Sequence, residues 1–109
     1  MPRRPHKYRA SPTVVDGIGF ASKAEAARYS TLKMLERANE IEDLELQPKF
    51  TVEVNGVHIC DYFADFRYTD CREGLQVTED VKGVKTPVYK LKKRLVEAVH
   101  GVTITEVPA

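Results

Sequence analysis

Asp80 and Lys82 stand two residues apart in the stretch QVTEDVKG, residues 76–83. On an extended strand, residues i and i+2 share a face, so this carboxylate and ammonium lie side by side. Val77, Glu79 and Val81 take the other face. Such a pair is either a plain ion pair or a metal ligand beside a lysine that handles protons. A second aspartate, Asp65, interrupts an alternating apolar stretch. Aspartate is disfavoured inside strands, so Asp65 marks an exposed edge or a residue with a function. A third acid, Glu25, opens a helical pattern. On a helical wheel it lies in phase with Tyr29 and Leu32, and so extends the apolar stripe with a carboxylate. Ser22 and Glu25 also fit a capping box, the simpler role for Glu25. The alternative is a side chain that reaches over a sheet to a cation.

These residues need a scaffold. Residues 13–20 read TVVDGIGF, two β-prone pieces around the turn signal Asp16-Gly17. Residues 22–39 form the clearest helix, rich in alanine, leucine, lysine and glutamate, with Tyr29, Leu32, Leu35 and Ala38 as its stripe. Residues 38–46 read as an acidic turn. Phe50, Val52 and Val54 alternate with polar residues, and Asn55-Gly56 is a strong hairpin signal. The next strand is expected to run unbroken over residues 57–68, with Asp65 in its middle. A third strand, residues 75–82, pairs back antiparallel. Thr86 caps a second helix with Pro87 in its first turn, a stripe of Val88, Leu91, Leu95, Ala98 and Val99, and a stop at Gly101. Residues 102–107 alternate as a last strand. The order is hairpin, helix, three strands, helix, strand. It predicts an α/β fold: an αβββαβ core, a central mixed sheet flanked by helices, and an N-terminal β-hairpin.

The 109 residues suit one domain, taken here as residues 13–109, behind a basic, proline-containing arm at residues 1–12. The apolar fraction of 42% and charged fraction of 30% exclude a disordered chain, and no apolar run is long enough for a bilayer. No export signal is visible, which makes a cytoplasmic site the expectation. The net charge of +1 carries no message about polyanions, but its distribution does. Arg3, Arg4, Lys7 and Arg9 crowd the arm, and Lys90, Lys92, Lys93 and Arg94 crowd the second helix. Basic ends around an acidic centre suit a protein that grips phosphates at its edges and a divalent cation in its middle. Each cluster taken alone is equally a solvated tail or helix face. Cys60 and Cys71 are expected to be free thiols. With His58 and His100 they lack the spacing of a zinc site.

If Asp65 and Asp80 lie on neighbouring antiparallel strands, their Cβ atoms approach to about 5 Å. Two carboxylates that close repel unless a cation sits between them, and oxygen donors of this kind suit Mg²⁺ or Mn²⁺. Lys82 would then hold or deprotonate an attacking water.

An acid on the second core strand, D/E-x-K on the third, and an acid on the preceding helix resemble the PD-(D/E)xK nuclease superfamily. Here the pattern is Glu25, then Ala64-Asp65, then Asp80-Val81-Lys82. The segments FASKAEAARYSTLKMLERANEI, LELQPKF, YFADF and EDVKGVKT, followed by a Lys/Arg-rich helix, further resemble a small family of phage and prophage nuclease-like proteins. The resemblance implies Mg²⁺-dependent (or Mn²⁺-dependent) hydrolysis of DNA phosphodiesters in phage recombination, repair or genome processing. Branched DNA such as a Holliday junction is included among its substrates. It implies metal binding by Asp65, Asp80, the Val81 carbonyl and Glu25, and a water positioned by Lys82. Gln47 falls where several such nucleases place a glutamine near the site. DNA would lie along Lys85, Lys90, Lys93, Arg94, Arg3 and Arg4, and a homodimer would let the domain cut both strands. Ala64 departs from the proline that names the motif, without removing a ligand. The alternative is a non-catalytic nucleic-acid-binding module on the same fold. A third reading takes Asp80 and Lys82 as an ion pair only.

Overall fold

The computed structural model describes residues 11–109; Arg3, Arg4 and most of the arm lie outside the described residues. A first hairpin joins β1 (Thr13–Val15) to β2 (Ile18–Phe20). Its turn residues Asp16 and Gly17 both have positive φ, 53° and 74°, as a two-residue turn between twisted strands requires. Helix α1 (Lys23–Arg37) starts where Ser22 accepts a hydrogen bond from the Glu25 N–H at 3.1 Å. Strands β3 (Ile41–Leu46), β4 (Lys49–Val54), β5 (Val57–Phe63), β6 (Phe66–Asp70) and β7 (Leu75–Lys82) follow. Helix α2 (Pro87–His100) is capped by Thr86, whose hydroxyl accepts from the Tyr89 N–H, and ends at Gly101 with φ 68°. Strand β8 (Ile104–Pro108) closes the chain.

The central sheet has the order β3-β6-β7-β8, with β8 parallel to β7 and the other pairs antiparallel. This is the expected mixed sheet flanked by helices. Phe20, Ala26, Tyr29 and Leu32 pack with Ile41, Phe66 and Tyr68 into one core. On the opposite face, Tyr89 and Val96 of α2 pack with Ile104, Ala64, Phe50, Val52 and Tyr62. Among the described residues no helix is long and apolar enough to cross a membrane.

Three expectations need correction. Residues 38–46 are not merely an acidic turn, because residues 41–46 form edge strand β3. Ile41 faces the core, while Glu42, Asp43 and Glu45 are exposed, and a register shift with Asp43 at φ 56° accommodates them. An edge strand tolerates acids because one side meets water. Residues 57–68 are not one strand. β5 pairs with β4, the chain turns at Ala64-Asp65, and β6 enters the central sheet. Asp65 therefore sits at a corner rather than in mid-strand, and β4 lies outside the central sheet. The stripe expected for α2 is only in part its buried face: Leu95 packs against the core, but Val88 is 63% and Leu91 60% exposed, and Val99 is exposed too, while Tyr89 and Val96 are buried. The β4–β5 hairpin and β8 together form the surface on which α2 rests, and they receive the aromatic side of the helix.

Candidate active site

The site is built at a corner that two strand pairs share. Leu46 pairs with Phe66 on one side of it and Lys49 with Phe63 on the other. Between them the ladder continues: the Gln47 N–H donates to the Asp65 carbonyl at 3.0 Å, and the Ala64 N–H to the Pro48 carbonyl at 3.1 Å. Pro48 is fully buried and Gln47 has φ 50°. Left-handed backbone at a residue other than glycine costs about 1–2 kcal/mol and persists only where its surroundings impose it. The bent ladder sets Gln47 and Asp65 against each other at the end of the central sheet.

The Asp65 N–H donates to the Glu79 carbonyl at 3.0 Å, one step past the paired residues Phe66 and Glu79. Asp65 thus stands across from Asp80, as expected of neighbouring antiparallel strands. One Asp65 oxygen, Oδ2, accepts from the Val81 N–H at 2.7 Å. Burial pushes the Asp65 carboxyl above its ordinary range, against the pull of that N–H and of Lys82.

Asp80 is 1% exposed. Burial raises its pKa to about 6, opposed by Lys82 and the Asp65 backbone and assisted by Glu25 and Glu106. Among the described residues its Oδ2 is buried and finds no hydrogen-bond partner. A carboxylate oxygen left this way is costly, and few occur in any protein. Among the described residues, no ion pair within 4.0 Å joins Lys82 to Asp80 or to another carboxylate. The Lys82 ammonium lies instead over the Tyr89 ring, 4.4 Å from its centroid.

Glu25 is buried in the first turn of α1. Its pKa is raised by burial and then by Asp65, while the Ala21 backbone N–H and Lys82 lower it. Its backbone N–H takes part in the Ser22 cap, while its carboxyl lies near enough to Asp65 and Lys82 to be shifted by both. Ile18, Gly19, Phe20, Glu25, Leu46, Gln47 and Asp65 line a cavity of about 130 Å³, which brings three of the expected site residues to one wall. Glu79 points the other way. Arg28 grips it with Nε at 2.8 Å and Nη2 at 2.6 Å, and the Tyr68 hydroxyl donates to it. Burial and Glu79 push the Tyr68 phenol up to about 12.

Of the residues expected to meet DNA, Lys90 and Arg94 are exposed on α2. Lys85 pairs with Glu106 at 3.0 Å and Lys93 with Glu97 at 3.2 Å. Cys60 and Cys71 are free thiols. Among the described residues no three His, Cys, Asp or Glu side chains are grouped closely enough to form a metal cage. Two residues escaped the sequence reading. Arg28 follows Glu25 by one helical turn, a spacing that would have put it on the same face. Tyr89 sits inside a lysine-rich helix and carried no signal at all.

The whole is a small α/β domain with two facing aspartates, a lysine and a helical glutamate gathered at one end of its sheet. The chain belongs to a family described as a protein of unknown function (DUF1064), whose model matches residues 5–104. No curated protein and no solved structure matches it.

Proposed function

We propose that the protein is a metal-dependent endodeoxyribonuclease of the PD-(D/E)xK type, acting inside a bacterial cell on DNA of phage or host. One observation carries the reading. Asp80 and Lys82 share a strand face yet do not pair, and Asp80 Oδ2 is buried with nothing to bind. An ion pair that served only the fold would have closed.

The residues fit a hard divalent cation. Asp80 offers an oxygen unpartnered among the described residues, and Asp65 offers a second carboxylate, whose Oδ2 accepts from the Val81 N–H. The Val81 carbonyl is a further donor. Mg²⁺ and Mn²⁺ keep several waters and need only one or two carboxylates, so a site short of three acids suits them. Glu25, which feels Asp65, would act through water. A bound cation supplies polarisation of a phosphate oxygen and a more acidic water. The chain's own residues do the rest. Lys82 orients the attacking water. Gln47 lines the cavity beside Asp65 and would bind a substrate oxygen there. Lys90 and Arg94 lie along α2 and hold the sugar-phosphate backbone. A homodimer would present two such sites to the two strands of a duplex.

The test is a panel of supercoiled, nicked, flap and four-way DNA incubated with Mg²⁺ or Mn²⁺. Cleavage that chelation stops supports the proposal. DNA retardation on a gel without cleavage makes the protein a binding module instead. A protein that neither cleaves nor retards DNA would leave Asp80 and Lys82 as structural residues only.

A further inference from the structure

The geometry points to Tyr89 as a positioning residue that keeps Lys82 off Asp80, and so keeps the carboxylate open for a cation. This inference rests on the nuclease reading and assigns a residue that reading does not include. Lys82 and Asp80 stand two residues apart on one face of β7. In a partly buried pocket the lowest-energy place for an ammonium is against a carboxylate. A Lys82–Asp80 pair would satisfy Asp80 Oδ2 and quench the metal site. The ammonium sits instead on the face of Tyr89, where the ring quadrupole attracts it.

Tyr89 is itself fixed. It is buried in the first turn of α2, and its hydroxyl donates to Glu106 Oε2 at 2.8 Å. Glu106 is held in turn by Lys85 at 3.0 Å, and pairs in register with Asp80 on the neighbouring strand. The hydrogen bond to a carboxylate enriches the ring in electron density and prevents it from swinging away. Lys85 thus serves the site through Glu106 and Tyr89, a role distinct from contact with DNA. The ring also packs 6.4 Å from that of Tyr62, which anchors it to the β4–β5 hairpin.

The test measures Mn²⁺ binding by calorimetry on the full chain, with no DNA present. Tyr89→Phe keeps the ring and should bind Mn²⁺ within about twofold of the wild type, whereas Tyr89→Leu should bind about tenfold more weakly, as expected when a cation–π contact is exchanged for an ion pair. The decisive variant is Tyr89→Leu combined with Lys82→Met. Removing the ammonium frees Asp80, so Mn²⁺ affinity should return to the wild-type range although cleavage stays absent. A purely structural Tyr89 would give no such rescue, and its failure overturns the inference. Because Tyr89→Leu opens a buried space, an independent readout uses the wild type alone. The Lys82 Hε resonances should be displaced upfield by the ring current, and unshifted resonances overturn the inference as well. A wild type that binds no Mn²⁺ overturns the nuclease reading together with this one. Normal wild-type binding that Tyr89→Leu leaves unchanged overturns the positioning role alone.

Discussion

Replacing Asp80 with asparagine should stabilise the metal-free protein at neutral and alkaline pH, by an amount that the burial of its carboxyl sets. Asparagine matches the shape of aspartate and removes its charge, with an amide NH2 in place of one carboxylate oxygen. The Asp80 pKa rises from an ordinary 3.8 to about 6 on folding. That shift of about two units corresponds to about 3 kcal/mol. The folded state holds the proton more tightly than the unfolded chain, so stability falls with rising pH between the two values. The contribution of Asp80 is intact below 3.8 and is lost as pH rises through about 6. Urea unfolding of both proteins in chelator, near pH 4 and near pH 8, measures the difference. The Asp80→Asn protein should gain about 2–3 kcal/mol on the wild type between these conditions, because carboxylates remote from Asp80 titrate alike in both. Equal stability curves, or a wild type more stable near pH 8, would mean that the Asp80 charge is satisfied within the fold and would refute the reasoning.

Lys82→Ala should abolish turnover while leaving Mn²⁺ affinity unchanged or tighter, checked by cleavage and calorimetry on the same preparation. Arg28→Ala should destabilise the fold by about 3 kcal/mol in urea, because it strands the buried Glu79 carboxylate. Lys33→Ala, which breaks a solvated pair with Glu36 on the same helix, should leave the urea midpoint nearly unchanged. Lys90→Ala and Arg94→Ala should each weaken DNA binding on all sequences alike, and reduce the slope of log affinity against log salt by about one.

Local signals in the sequence were sufficient for much of the fold. Asp16-Gly17, Asn55-Gly56, Ser22, Thr86-Pro87 and Gly101 act through their immediate neighbours, and the structure uses all of them as turns or caps. Side-chain alternation separated Asp80 and Lys82 from Glu79, because period two is a property of one strand. Pairing between distant segments was not legible. The acids of β3 hid a strand whose inward residues are only Ile41, Leu44 and Leu46. The corner at Ala64-Asp65 follows from the partners β5 and β6 choose, one in the hairpin and the other in the central sheet. The apolar stripe of α2 misled for the same reason: a wheel counts apolar residues but does not know which surface the helix meets. Hence the candidate site was readable as a set of residues, while the Tyr89 shelf and the Arg28 grip on Glu79 were not. Both arise from contacts between elements far apart in the chain.

The central claim is that Asp65 and Asp80, brought together where the strands bend, hold one divalent cation. Calorimetric titration of Mn²⁺ into the wild type, Asp65→Asn and Asp80→Asn tests it most directly. The account predicts one site per chain in the wild type and loss of binding in both variants while each remains folded. Binding that survives both substitutions, or a folded wild type that takes up no Mn²⁺, would contradict it.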